Sequence, residues 1–432
     1  MHTNPNRIVA DYPMSWVQIA AITVTIALNA LDGFDVLSIS FASPGIVKEW
    51  GIDRAALGAV LSMELIGMAV GSLLLGRLAD QIGRRATILG CLVVMSAGMI
   101  MATTASSVVE LSVWRVLTGL GIGGMLAAIN AVAAEFANDR RKGLCLSLMV
   151  IGYPVGAVVG GVIAANAMKG GDWRAVFEIG AVATLICIPL VLFYVPETVA
   201  FLCERTGPNA LARVNRLMAR MGRPQTDTLP APIHGPRGSL VDIFKPDLIL
   251  TTALVTVAYF AHIVAFYFIL KWIPKIVVDM GFAPAAAAGV LVWANVGGAS
   301  GGAVFGLLTQ RVRLRPLTLA ALVLSAAMLA VFGRGQADLG QLALIAGLTG
   351  MFTNSAVVGL YAMFAEVFPT HVRATGTGFA IGVGRGGAAL APFLAGVLFQ
   401  AGFGLQVVAI IMGCGSLVAA AAVAFTPRRR PA

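Results

Sequence analysis

Charge is what this chain has least of. Only 12% of its 432 residues are Asp, Glu, Lys or Arg, about half of what a soluble protein uses to face water. That poverty excludes a soluble globular fold, so much of the surface must face lipid instead. Histidine is scarce too, and His2, His234, His262 and His371 are scattered along the chain, so no metal site is expected. The five cysteines, Cys91, Cys145, Cys187, Cys203 and Cys414, fall in apolar segments or beside basic loops, which argues against a disulfide framework. There is no H-E-x-x-H, no G-x-S-x-G, no P-loop and no clustered Cys/His set. No hydrophilic stretch is large enough to house a signalling domain. An enzyme, a receptor and a cofactor therefore find no support, and any work the chain does must draw on a gradient rather than on ATP.

What is present is apolar length. Hydrophobic residues make up 58% of the chain and the mean hydropathy is +0.88. Runs of about 20 apolar residues, enough to cross a ~30 Å hydrocarbon core as helix, fall at 16–39, 55–75, 86–105, 109–132, 144–167, 176–195, 248–270, 284–308, 316–333, 339–362, 375–399 and 405–426. A membrane barrel would instead show ~10-residue alternating segments. The reading is an all-α polytopic membrane protein with twelve transmembrane helices. Of its 30 Lys and Arg, 21 fall on the side of the two termini, 7 on the opposite side, and Arg115 and Arg385 within the spans. That asymmetry is the positive-inside rule and predicts cytoplasmic termini. The net charge of +10 is thus topology rather than a nucleic-acid surface. The first apolar segment is too long and too acidic for a cleaved signal peptide.

The chain divides in the middle. Residues 1–198 hold six spans, 199–246 a hydrophilic linker, and 247–432 six more, the layout of a two-lobed carrier. Within the linker, Leu211, Val214, Leu217, Met218 and Met221 repeat at helical spacing between Arg213, Arg216 and Arg220, predicting an amphipathic helix. Pro224, Pro230, Pro232 and Pro236 then mark irregular chain. A weak repeat links the halves. Glu135 and Glu366 each close a span with a basic residue, Lys142 or Arg373, seven positions later. The span after each is rich in glycine and broken by Pro154 or Pro392, which suggests a pair of close-packed helices at a moving interface.

Several motifs now bear on family. Gly76-Arg77-Leu78-Ala79-Asp80-Gln81-Ile82-Gly83-Arg84-Arg85 follows the second span. Arg115 to Gly124 lies in the fourth, Pro196-Glu197-Thr198 closes the sixth, and Glu366-Val367-Phe368-Pro369-Thr370 with Arg373 and Gly376 follows the tenth. In order and position these resemble the major facilitator superfamily. Leu31-Asp32-Gly33-Phe34-Asp35 and Gly384-Arg385-Gly386-Gly387 with Pro392 are similar to elements of its aromatic acid:proton symporters. The resemblance implies two six-helix lobes, alternating access and import of an organic acid anion with protons. The expected partners are that small acid, protons and the lipid bilayer of a bacterial inner membrane, for a monomer that binds no nucleic acid. A facilitator-type exporter of drugs or amphipathic compounds shares the fold and stays open as the alternative, although arginines inside the membrane favour an anion.

Ionisable residues in a bilayer are costly unless paired or wetted, so each is a candidate. Asp32 and Asp35 share a face of the first span. Two acids so close in low dielectric cannot easily both ionise, so one is expected to take up a proton near neutral pH. Arg385 offers a bidentate fork for a carboxylate. Arg115 is expected to pair with Asp32 or Asp35 or to brace its lobe, and Glu64 to serve as a second proton site, a counter-ion to Arg115 or a vestibule residue. Tyr259, His262, Phe266 and Lys271 of the seventh span are candidates for an aromatic ring and its acid; an interfacial aromatic belt with a snorkelling lysine is the competing account. Asp80, Arg84, Arg85, Glu135, Glu366 and Arg373 are expected to gate the terminal side, with Asp80 meeting a helix N-terminus or an arginine of the other lobe. The second half lacks the counterpart of Asp80, since Gly306-Leu307-Leu308-Thr309-Gln310-Arg311 keeps only the basic end.

Overall fold

The computed structural model describes residues 4–205, 209–230, 240–335, 337–369 and 372–427. His2, Pro232, His234, Pro236, Thr370, His371 and Arg428 to Arg430 lie outside them. Among the described residues, twelve helices are long and apolar enough to span a membrane. They are α1 (Trp16–Trp50), α2 (Arg54–Ile82), α3 (Arg84–Thr103), α4 (Val108–Phe136), α5 (Lys142–Ala167) and α6 (Arg174–Tyr194), then α7 (Ile249–Asp279), α8 (Pro284–Leu308), α9 (Leu314–Phe332), α10 (Leu339–Val367), α11 (Arg373–Gln400) and α12 (Leu405–Phe425). Polar side chains set the starts of several. Ser15 and Gln18 form a capping box on α1, and Asp53, Ser107 and Asp338 cap α2, α4 and α10, satisfying amides that lipid cannot.

Helix α1 overruns its expected end at Ile39 and continues to Trp50. Pro44 lies inside it and has no N–H for the Ser40 carbonyl. The Ser43 hydroxyl donates to that carbonyl instead, at 2.8 Å, so the helix survives the proline. Gly51 closes it at φ 60°, a backbone that favours glycine.

The same packing recurs in both halves. In the first, Gly33 and Gly156 bring the backbones of α1 and α5 so close that a Cβ on either would overlap a carbonyl oxygen of the other helix. In the second, Gly387 of α11 lies under the Phe260 carbonyl of α7 and Gly384 under the Tyr259 ring. Most glycines of α5 and α11 thus seat each helix inside its own half. Only Gly161, against Val292, and Gly396, against Arg54 and Gly58, face the other half. The helix pair α5 and α11 does stand at the boundary between the halves, packed against α8 and α2, while most of their glycines serve close packing within a half, where a face without side chains seats on backbone.

Polar contacts described between the halves lie at mid-depth or toward the end remote from the termini. There Arg54 of α2 pairs with Asp279 of α7 (3.3 Å) and its amide donates to Gln400 of α11 (3.3 Å). At the terminal end, the Ala210–Arg220 helix buries Val214, Leu217 and Met218 and exposes Arg213, Arg216 and Arg220. Its Arg220 donates to the Phe193 carbonyl at 3.1 Å, which docks this amphipathic helix on the first half.

Candidate functional site

Four ionisable side chains of the first half meet inside the bundle: Asp32 and Asp35 of α1, Glu64 of α2 and Arg115 of α4, none with measurable exposure. Lys271 of α7, equally buried, joins them from the second half. Glu64 is the hub. One carboxyl oxygen pairs with the Arg115 guanidinium and the other accepts from Lys271 Nζ at 3.2 Å. Arg115 also donates to the Asp35 carbonyl (3.0 Å) and stacks over Phe177, 5.3 Å from the ring centre. Lys271 donates in addition to the Val36 carbonyl, across the lobe boundary. Of the roles open to Glu64, the geometry gives the counter-ion. Arg115 meets that acid and the Asp35 backbone, not an aspartate carboxylate. Lys271 lies within the bundle rather than snorkelling at its edge.

That leaves the aspartates. None of the four carboxyl oxygens of Asp32 and Asp35 has a hydrogen-bond partner. The Thr184 hydroxyl, beside Asp35, is spent on the Gly180 carbonyl at 2.7 Å. Buried carboxyl groups without partners are rare and costly in native structures. Gly33 between them holds α1 against Tyr153 of α5, while the Asp35 carboxyl lies against Gly180 of α6.

Arg385 of α11 is half-buried and reaches across the lobes to the Met68 carbonyl at 3.5 Å. Asp32 and the hydroxyls of Tyr153, Tyr259 and Tyr267 lie within its electrostatic reach. Tyr259 also bonds the Tyr361 hydroxyl at 2.9 Å, and Phe266 stands edge-on to Tyr267 with centroids 5.4 Å apart. Sequence reasoning does not single out Tyr153 or Tyr361. Each is a polar aromatic in an otherwise apolar span, the one signal the sequence offers.

His262 lies apart from this group. Its Nε2 faces the Thr353 carbonyl and its Nδ1 the Ser416 hydroxyl, both at 2.9 Å. A carbonyl only accepts, so Nε2 carries the hydrogen, and in the neutral ring Nδ1 accepts from Ser416. Both nitrogens are used inside the second half, which leaves none for a ligand.

At the terminal end, Arg84 pairs with Asp80 (3.2 Å) and with Glu135 (3.1 Å), all in the first half. The helix N-terminus expected for Asp80 is occupied by Glu197, which accepts from the amides of Arg84 (3.0 Å) and Arg85 (3.3 Å) at the start of α3. Burial raises the Glu197 carboxyl above its ordinary value, opposed by those amides. The partner of Asp80 is one helical turn away rather than across the lobes, because the tight turn at Gly83 (φ 110°) starts α3 where α2 ends. Arg85 donates to the Leu192 carbonyl at 2.6 Å. Glu366 is exposed, and Arg373, also exposed, donates to the Phe368 carbonyl at 3.4 Å.

The profile of the Major Facilitator Superfamily matches residues 25–333 and 255–432 of the chain. The 3-(3-hydroxy-phenyl)propionate transporter of Escherichia coli is 30% identical over 93% of this chain and 92% of its own. The gallate transporter of Pseudomonas putida is 28% identical over 97% and 92%, and the 4-hydroxybenzoate transporter PcaK of the same organism 28% over 91% and 89%. Among solved structures, the inward-open xylose transporter XylE from E. coli superposes with a TM-score of 0.72 at 16% identity, over 95% of this chain and 96% of the other.

Proposed function

The chain belongs to the major facilitator superfamily, and from that membership and its buried charges we propose that it imports an aromatic acid together with protons by alternating access. The carrying observation is the Asp32–Asp35 pair, four carboxyl oxygens without a partner in the buried interior. With Glu64 it makes three acids, and beside them stand three bases, Arg115, Lys271 and Arg385. A carboxylate landing on Arg385 adds negative charge where imbalance costs several kcal/mol. A proton taken up by Asp32 or Asp35 cancels it. Entry of the acid and uptake of the proton are thereby tied to one charge balance.

Arg385 grips the carboxylate, with Tyr259 and Phe266 walling the ring beside Tyr153 and Tyr267. Relatives named for 3-(3-hydroxyphenyl)propionate, gallate and 4-hydroxybenzoate support an aromatic acid. The lobes are 1–198 and 247–432, joined by the 199–246 linker, and rock about the midplane. Asp80, Arg84, Arg85 and Glu135, with Glu366 and Arg373 of the second lobe, set the gate on the cytoplasmic side. The protein resides in the bacterial inner membrane with both termini in the cytoplasm, as its basic loops favour. The test is uptake of labelled aromatic acids by cells or vesicles with and without a protonophore. Accumulation that collapses with the gradient is expected; accumulation indifferent to the protonophore removes the coupling.

A further inference from the structure

Two cations of the second lobe, Lys271 and Arg385, meet the same helix of the first. Lys271 reaches Glu64 and Arg385 reaches the Met68 carbonyl. Positions 64 and 68 lie one turn apart on one face of α2, ~6 Å along its axis. The second lobe therefore presents two positive ends to one face of that helix, beside the buried aspartates.

The pairing is unequal. Glu64 has two partners, Arg115 in its own lobe and Lys271 in the other. Arg115 has Glu64, the Asp35 carbonyl and the Phe177 ring. When the lobes part at this level, Glu64 keeps Arg115, and the first lobe retains that neutral pair and two aspartates. Lys271 loses Glu64 and the Val36 carbonyl together. The second lobe is then left with two cations and no acid among the charges of this cluster. A single carboxylate on Arg385 would leave the Lys271 ammonium uncompensated in a site of low dielectric, which is strongly unfavourable.

Resting on the import of an aromatic acid argued above, we propose that the acid this protein carries has two anionic groups, one held by Arg385 and one by Lys271, with Lys271 exchanging Glu64 for the substrate. Two negative charges neutralise the second lobe, and two protons on Asp32 and Asp35 neutralise the first. Every charge is then matched in the loaded state, and after release Lys271 returns to Glu64. The chemical class is an aromatic dicarboxylate, or a longer two-ring acid with a carboxylate at each end. Lys271 is in this sense a specificity-determining residue rather than a brace.

Binding to the purified full-length protein decides it, with benzoate, isophthalate, terephthalate and biphenyl-4,4′-dicarboxylate as probes. At least one diacid is expected to bind ~10-fold or more tightly than benzoate, the scale of a charge-assisted pair. In Lys271→Met that ratio falls to about one while benzoate binding persists; in Lys271→Arg it is kept. Wild-type protein that binds benzoate as tightly as every diacid overturns the proposal, even if Lys271→Met fails to fold. A ratio unchanged in Lys271→Met overturns it too and returns Lys271 to a purely structural role. Benzoate binding that depends on Arg385 without diacid preference sinks this inference alone. Failure of all four acids to bind removes the aromatic-acid reading beneath it as well.

Discussion

Glu64 of α2 and Arg115 of α4 form an ion pair in which neither side chain has any exposure. Breaking a buried pair from one side strands a charge, at about 3–5 kcal/mol. Glu64→Gln strands two, Arg115 and Lys271. The variant is expected to unfold well below wild type in a detergent thermal melt. Adding Lys271→Met to it should recover part of the loss, because one stranded charge is gone. A double variant no more stable than Glu64→Gln alone would show that Lys271 does not feel Glu64.

The bundle was legible because lipid imposes one rule on every span, and composition alone exposes it. Nine of the twelve spans needed boundary changes of five residues or fewer; α1, α2 and α7 ran eleven, seven and nine residues past their expected ends, and in α1 Ser43 repairs the gap at Pro44. The buried acids and arginines were legible for the same reason, since charges inside apolar runs stand out. What the sequence could not show is who meets whom. Glu64, Arg115 and Lys271 lie on three helices, and nothing local says that the acid would sit between the two bases. His262 looked like a ligand for the opposite reason: Thr353 and Ser416, which use up its ring, are remote in sequence.

Asp32→Asn and Asp35→Asn separate carriage from coupling. Each amide removes a protonatable group but keeps the shape. The variant that loses the coupled proton is expected to equilibrate labelled acid without concentrating it, so the accumulation ratio falls to about one while exchange of internal for external acid continues. Measuring both rates in vesicles with an imposed pH gradient checks this. Full accumulation in both variants would remove the aspartates from the coupling.

Gly33→Ala tests the seam between α1 and α5. The added Cβ would overlap the Tyr153 carbonyl, and neither backbone can yield without shifting a whole helix. A loss of about 1–3 kcal/mol or more is expected, read as a lower melting temperature and lower yield of folded protein. Ala at Gly90, where nothing lies within 4 Å of the new Cβ, is the control and should melt as wild type does.

His262→Ala should act on stability alone. The change takes one partner each from the Thr353 carbonyl, which keeps its bond within α10, and from the buried Ser416 hydroxyl, a loss of about 1–3 kcal/mol. Ser416 retains Ser325 at 3.2 Å, which places the cost toward the lower end. Acid affinity measured below the melting transition is expected to match wild type. A selective loss of affinity with unchanged melting would instead put His262 in contact with the substrate.

Arg385→Lys keeps the charge and discards the fork. If the carboxylate is held by two parallel N–H donors, a single ammonium recovers the Coulomb attraction but not the second bond or its alignment. Apparent affinity for the acid should fall about tenfold, the equivalent of ~1.4 kcal/mol, with less effect on the rate at saturation. Stability should barely change, because in the unloaded protein Arg385 is tied by a long bond to the Met68 carbonyl, at 3.5 Å. Arg385→Met removes the charge as well and should abolish binding of the anion. Equal affinities for wild type and Arg385→Lys would mean that the guanidinium acts only as a point charge, and then Tyr153, Tyr259 and Tyr267 must orient the acid in its place.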